Sequence, residues 1–572
     1  MSSRTLATTV AFLAALWPFA GTGYGGLLES PADRPATRAE ILRGGLSPLR
    51  TCYEVISYHI DVRIDPFAKT IRGSNTIGFT ATVDFDKLQV DLFTNLDISS
   101  IRLDGDIKAR FTREFNAVFV QLPGKVLKDS THRLTIAYGG SPWVAQRPPW
   151  DGGVTWDHDA QGNPWACVTC EGLGASVWWP NKDHPTAKPS DVTISVTVPP
   201  GLEDVSNGRL LSTNVLADGW TQYNWHVSYP INNYNVTFNI GKFAHFSDTY
   251  ESAGQPLTLD YYVMPQNLQK AHRQFTDVRR MLSSYERYFG PYPFARDGYK
   301  LIESPHAGME HQSAVAYGNH WLKGYGGNAS SAVGLKFDFI IIHESAHEWW
   351  GNCVSCQDMA DMWIHESFGS YAESLFVEDH YGRAAALDYI NAKKPGVRND
   401  RPMIGQYGLN REGSGDMYNK GQLVLNTLRW VIDDDRRWFS ILRGIQQRFR
   451  YQSVTAEDIF GYIREHAGKD LTGFFEQYYL HTNIPRLVVN TEKKGNAVTA
   501  RYRWEVDVPE FRMPVKVTIA PGRYGFITPT RHWQTLELHG LLPENFKIAD
   551  DRFFVALKLR WSYRDPAQSP AD

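Results

Sequence analysis

Five residues, His343-Glu344-Ser345-Ala346-His347, with Glu366 after eighteen intervening positions, constrain this chain more than anything else in it. Histidines four apart share a face on a helix, so the spacing predicts a helix that aims His343 and His347 at a common point. Two imidazoles and a carboxylate form the ligand set of a catalytic zinc ion, which takes three protein ligands and keeps one position open. Glu344 falls about 100° further round such a helix, near an ion but not on it, where a base acting on the ion's water belongs. Phe337 to Ile342 is apolar enough to bury this helix. A short connection, residues 351–357, leads to a second apolar-periodic segment from about Met359 to Val377, which carries Glu366 on a neighbouring helix.

The rest of the chain divides by periodicity. At 572 residues it is long enough for about three domains. Residues 1–23 read as a secretory signal: Arg4, an uncharged stretch from Leu6 to Ala20, then a small-x-small site at Gly21-Thr22-Gly23. Export is therefore expected, with no membrane span once the signal is removed, because no later apolar stretch is long enough. Residues 24–45, with Pro31, Pro35, Gly44 and Gly45, read as a linker. From 46 to 245 short alternating runs such as Tyr58, Ile60, Val62, Ile64 predict a β-saddle or sandwich. From 246 to 485 the period becomes helical, as in Phe275, Val278, Met281, Leu282 and Tyr285, and Thr455 with Asp458 predicts a capping box. Residues 486–564 return to strands, the last over Phe553–Leu557, enough for a small β-sandwich, and 565–572 read as a disordered tail. The whole is a multidomain α+β chain. Its net charge of −3, without a basic block, gives no reason to expect nucleic acid as a partner.

Around the metal motif, HESAHEWWGN followed by DMWIHESFGSYAE resembles the zinc aminopeptidases of peptidase family M1, whose pattern is HExxH, eighteen residues, then Glu. The resemblance extends over roughly residues 50 to 485. Tyr418-Asn419-Lys420-Gly421 matches the family's Tyr-x-Lys-Gly element, which implies that the Tyr418 phenol stabilises the oxyanion. An uncharged phenol suits that task, since it donates a hydrogen bond at neutral pH. Ala307-Gly308-Met309-Glu310-His311 is similar to the family's Gly-Ala-Met-Glu-Asn loop, so Gly308, Met309 and Glu310 are expected at the substrate, Glu310 on its α-ammonium. Ala-Gly in place of Gly-Ala and His311 in place of Asn depart from that loop. Cys170-Glu171-Gly172, followed by Pro180, Asp183, Pro185 and Lys188, resembles the segment that supplies a second amine-binding acid, implying that role for Glu171.

The resemblance implies a β-saddle N-terminal domain, a thermolysin-like, mainly helical catalytic domain and a C-terminal β-sandwich, with one zinc ion at His343, His347 and Glu366. It also implies that Glu344 is the general base and acid, and that the substrates are peptides with a free N-terminus. Larger relatives carry a helical domain over the site. This chain ends without one, so a more open cleft is expected.

Four of the five cysteines form CxxC pairs, Cys167/Cys170 and Cys353/Cys356, and Cys52 stands apart. Disulfides and a four-thiolate zinc site both remain open for them. If the pairs flank the site as the resemblance implies, a disulfide between them would brace the β domain against the zinc helix. Two other functions compete with aminopeptidase action. A thermolysin-like endopeptidase would share the metal chemistry but has no use for Glu310 and Glu171, and an inactive peptide-binding scaffold would not need the complete metal and base set. Nothing in the sequence bears on oligomeric state.

Overall fold

The computed structural model describes residues 35–494 and 497–562. The expected signal sequence and C-terminal tail lie outside the described residues. Among the described residues no helix is long and apolar enough to cross a membrane.

The N-terminal region is built on an eight-stranded sheet ordered Arg209–Val215, Thr221–Val227, Asp191–Val198, Tyr53–Asp65, Thr70–Ala81, Thr131–Gly140, Leu96–Leu103, Ile107–Lys108. Tyr53–Asp65 shows why. Tyr58, Ile60, Val62 and Ile64 are buried on one face, and a bulge between Val55 and Ser57 shifts the phase, so that Ile56 is left exposed. A smaller sheet, Glu203–Asp204, Asn239–Gly241, Pro164–Thr169, Gly153–His158, matters for the site. Pro164–Thr169 runs out toward Glu171, and its antiparallel neighbour is entered from Tyr234, so both residues emerge at one end of this sheet.

The linker expectation is corrected at its C-terminal part. Arg38–Gly44 is a helix, closed at its start by a capping box between Thr37 and Glu40. Leu42 is buried beneath it, and Gly44 lies so close to the backbone of Leu409 and Asn410 that a Cβ would come within 2.1 Å of it. Contact with the rest of the fold outweighs the local glycine and proline content.

The second region begins with a sheet ordered Ala244–Ser252, Gln255–Val263, Tyr299–Glu303, Val315–Tyr317. Helix Thr276–Phe289 follows, stopped at Gly290, whose φ of 101° suits glycine. The helices Phe339–Ala346, Trp363–Tyr381 and Asp416–Ile432 carry the chemistry. Residues 363–377 are buried all round, which makes that helix the axis of the region. The predicted capping box at Thr455 and Asp458 is formed.

The C-terminal region pairs Gln534–His539, Ala497–Glu505, Arg486–Lys494 and Ala556–Ser562 in one sheet, beside the hairpin Val515–Ala520 and Arg523–Ile527. The final strand thus starts after most of the predicted Phe553–Leu557, because Phe553 and Phe554 turn into a core shared with the helices instead.

All five cysteines are buried free thiols, so the bracing disulfide is not made. Cys167 lies on strand Pro164–Thr169, and burial pushes the thiols of Cys170 and Cys356 well above their usual pKa, against the thiolate a metal would need. Lys188 makes the brace instead. Its ammonium crosses from the β region to donate to the Asn352 carbonyl at 2.6 Å and to Ser355 Oγ at 2.7 Å.

Candidate active site

Helix Phe339–Ala346 starts at Asp338, which caps it by accepting from the Ile341 N–H and is itself held by Tyr317 at 2.8 Å and Asn319 at 2.9 Å. Ile340, Ile341 and Ile342 are buried, which fixes the roll of the helix. His347 sits at its last turn, still in right-handed helical conformation, so both imidazoles share a face. Nε2 of His343 lies 3.6 Å and Nε2 of His347 3.7 Å from Oε2 of Glu366. One donor atom of each residue falls within 4.8 Å of the others, all three residues are buried, and Nε2 of His347 and Oε2 of Glu366 have no hydrogen-bond partner. Buried polar atoms are rarely left so. Two unpartnered donors, with Nε2 of His343 beside them, fit a divalent ion of the nitrogen- and oxygen-liking kind.

The far side of each ring is committed. Nδ1 of His343 meets Oε1 of Glu373 at 2.8 Å, and Nδ1 of His347 donates to the Trp350 carbonyl at 2.9 Å. These partners turn Nε2 of each ring toward the common point. Glu373 in turn accepts from Tyr389 at 2.5 Å and lies 3.5 Å from the Lys393 ammonium. Burial opposes a charge on His343, yet the bonds to Glu366 and Glu373 outweigh it and raise its pKa well above the usual value. Burial likewise opposes ionisation of Glu366, but His347 and His343 hold its pKa below the ordinary carboxylate value. Gly369 leaves the space for His347, since a Cβ there would stand 2.9 Å from the ring.

Glu344 lies beside the triad. Burial, with Glu310 and Glu366 nearby, pushes its carboxyl up to about 7 against the pull of His343 and His347. Gly308 packs directly on it: a Cβ would lie 2.5 Å from Glu344 Cγ and 2.6 Å from Ile340 Cγ2. Met309, buried, exchanges two backbone hydrogen bonds with Ala316, which fastens the loop to the outer strand of the sheet and fixes where Glu310 emerges. His311 is fully buried next to it, and burial lowers its pKa to about 3.

Tyr418 arrives from helix Asp416–Ile432, which packs on Trp363–Tyr381 at Gly421. A Cβ at Gly421 would stand 2.0 Å from Ser367 Oγ, and that hydroxyl donates to the Met417 carbonyl at 2.8 Å. This close approach brings the Tyr418 ring to 6.2 Å from that of His343. Burial raises its phenol well above the usual pKa, so it remains a donor across the neutral range.

Glu310 and Glu171 meet beside the triad, within 4.8 Å of each other and of His365, and Glu310 also comes within 4.8 Å of Glu344 and His347. Burial and Glu310 together push the Glu171 carboxyl well above its usual pKa, and its Oε1 has no partner. Glu412 adds a further acid, raised to about 7 by burial and by Glu366. The cleft therefore gathers Glu171, Glu310, Glu344, Glu366 and Glu412, an arrangement that favours cations.

The structure thus brings together all nine residues singled out from sequence: His343, His347, Glu366, Glu344, Tyr418, Glu310, Glu171, Gly308 and Met309. Sequence reasoning missed Glu373, Tyr234, His365 and Glu412. Glu373 had a signal, since it follows Glu366 by seven residues and so shares its helix face two turns on.

Two family models match the chain, the Peptidase family M1 domain over residues 273–478 and the Peptidase M1 N-terminal domain over residues 54–234. Among curated proteins it is similar to endoplasmic reticulum aminopeptidase 1 of Mus musculus, 25% identical over 52% of this chain and 32% of that protein. It is also similar to probable aminopeptidase 1 of Saccharolobus solfataricus, 23% identical over 72% of this chain and 52% of that protein. The chain thus spans about a third to a half of the length of these relatives. In fold it is similar to the M1 zinc metallopeptidase of Deinococcus radiodurans, with a TM-score of 0.63 at 19% identity, covering 76% of this chain and 95% of that one.

Proposed function

This chain belongs to peptidase family M1, and from that premise we propose that it is a zinc-dependent aminopeptidase, removing the N-terminal residue from peptides with a free amine. The observation that carries this reading is the pair of carboxylates, Glu310 and Glu171, within 4.8 Å of each other, with Glu310 also within 4.8 Å of Glu344 and His347. His343, His347 and Glu366 would hold the zinc, which when bound polarises the scissile carbonyl and makes water a better nucleophile.

The chain's own residues account for the remaining steps. Glu310 and Glu171 take the α-ammonium by charge-assisted hydrogen bonds, and their fixed distance from the triad selects the first peptide bond. Glu344, with its carboxyl held near neutrality by burial, accepts a proton from the attacking water and returns it to the leaving amine. The Tyr418 phenol donates to the oxygen that gains charge. Gly308 keeps the loop close enough for Glu310 and Glu344 to flank one substrate bond.

An unblocked decapeptide followed by mass spectrometry tests the reading. Stepwise loss from the N-terminus, abolished by Glu344→Gln, supports it, whereas internal cleavage would establish an endopeptidase and overturn it. We also take the chain to be exported, as residues 1–23 suggest. Recovery outside the cytoplasm of protein beginning after Gly23 supports that, and an intact Met1 contradicts it.

A further inference from the structure

Glu171, Glu310 and His365 place a donor atom each within 4.8 Å of one another, an arrangement that on composition alone would suit a second ion. The hydrogen bonding of His365 says otherwise. The Cys356 backbone N–H donates to Nε2 of His365 at 2.8 Å, so that nitrogen is an acceptor and the ring hydrogen of the neutral imidazole sits on Nδ1. An Nδ1 that carries hydrogen is a donor, not a metal ligand.

That donor faces Tyr234. The hydroxyl of Tyr234 lies 3.5 Å from Nδ1 of His365 and donates to Oε1 of Glu310 at 3.0 Å, and the two rings lie nearly parallel, 6.3 Å apart. The polarity of the chain is set from its fixed end. The Cys356 amide can only donate, so His365 accepts on one side and donates on the other, and Tyr234 must send its own hydrogen to Glu310. Cys356 lies on the short strand Val354–Cys356, paired with Gln452–Val454, which makes the anchor rigid.

We propose that His365 and Tyr234 form a positioning relay for the amine subsite, an inference that rests on the aminopeptidase reading. The relay occupies Oε1 of Glu310 and leaves its other oxygen for the substrate ammonium. It also supplies hydrogen-bond donors where Glu310 and Glu171 would otherwise repel each other. Neither residue touches the reacting bond, so both act on binding of the amine and not on the chemical step.

The test is calorimetric and needs no turnover. Binding of L-leucine and N-acetyl-L-leucine would be measured on the zinc-loaded wild type and on Tyr234→Phe, His365→Ala, His365→Asn and the double variant Tyr234→Phe/His365→Ala, each checked for zinc content and thermal stability. Loss of one net hydrogen bond corresponds to about tenfold in affinity. The expected result is about tenfold weaker binding of L-leucine to Tyr234→Phe and His365→Ala, and a double variant no weaker than either, because the two act in series. His365→Asn, whose amide N–H can replace that of Nδ1, should recover most of the loss. In turnover of a leucyl-arylamide the same variants should raise KM and leave kcat within about twofold. Additive losses, failure of the asparagine to rescue, or two zinc ions per wild-type chain would overturn the relay. Wild type that binds L-leucine no better than its acetylated twin would overturn the aminopeptidase reading beneath it.

Discussion

Replacing Glu373 would separate a residue that holds the metal from one that holds a ligand in place. Its Oε1 bonds Nδ1 of His343 at 2.8 Å, while Oε2 accepts from Tyr389 at 2.5 Å and faces Lys393 at 3.5 Å, all in a buried setting. A hydrogen bond to a charged group contributes about 1.5–3 kcal/mol, and about 1.4 kcal/mol is tenfold in affinity. Glu373→Gln keeps an acceptor for His343 but loses the charge, so zinc affinity should fall about tenfold. Glu373→Ala also leaves Lys393 and the Tyr389 hydroxyl unpaired, so affinity should fall about a hundredfold, with about 3 kcal/mol of stability lost as well. Competition for zinc against a chromogenic chelator, with circular dichroism to establish that each variant is folded, measures both. A folded Glu373→Ala that binds zinc within twofold of wild type would refute the reasoning.

Three other outcomes are expected. Gly308→Ala should lower kcat about a hundredfold without loss of zinc, because the new Cβ would meet Glu344 Cγ at 2.5 Å and displace the base; steady-state kinetics with metal analysis checks this. Tyr418→Phe should lower kcat about a hundredfold and leave KM and zinc content unchanged, since the phenol is aimed at charge that develops only during reaction. Asp204, buried in the β region, has its carboxyl pushed up to about 8 by burial, outweighing its bonds to Ser206, Asn239 and Trp225. An unfolded aspartate titrates near 4, so the stability it contributes is fully present below that pH and is lost as pH rises toward 8. Asp204→Asn, which cannot ionise, should narrow the difference in Tm between pH 5 and pH 8 by about 3 °C or more.

What could be read from the chain follows from how local each signal is. His343, His347 and Glu344 lie within one helical turn, and helix geometry alone relates them. The β-then-helix-then-β order was legible because a buried face imposes a period of two or 3.6 on runs such as Tyr58–Ile64 and Phe275–Tyr285. Tyr234 reaches the site from a turn of the β region with no motif around it, and Glu412 comes from an irregular segment with no period. Their positions depend on contacts across domains, such as Asn410 to the Gly172 carbonyl at 2.9 Å. The helix at Arg38–Gly44 has its signal in the capping box of Thr37 and Glu40, while the glycine and proline around it point to a linker. The resemblance implied a covalent brace between the cysteine pairs, which the fold replaces with Lys188, whose partner Asn352 lies 164 residues further along the chain.

The central claim is that the cleft recognises a free α-amine beside a zinc-dependent peptidase centre. The most direct measurement is kcat/KM for a panel of aminoacyl-arylamides, each beside its N-acetylated twin, with and without a zinc chelator, on wild type and Glu310→Ala. The account predicts chelator-sensitive cleavage of the free-amine member only, reduced at least a hundredfold by loss of the buried carboxylate that holds the ammonium. Comparable cleavage of acetylated and free substrates, or a Glu310→Ala variant as active as wild type, would contradict it.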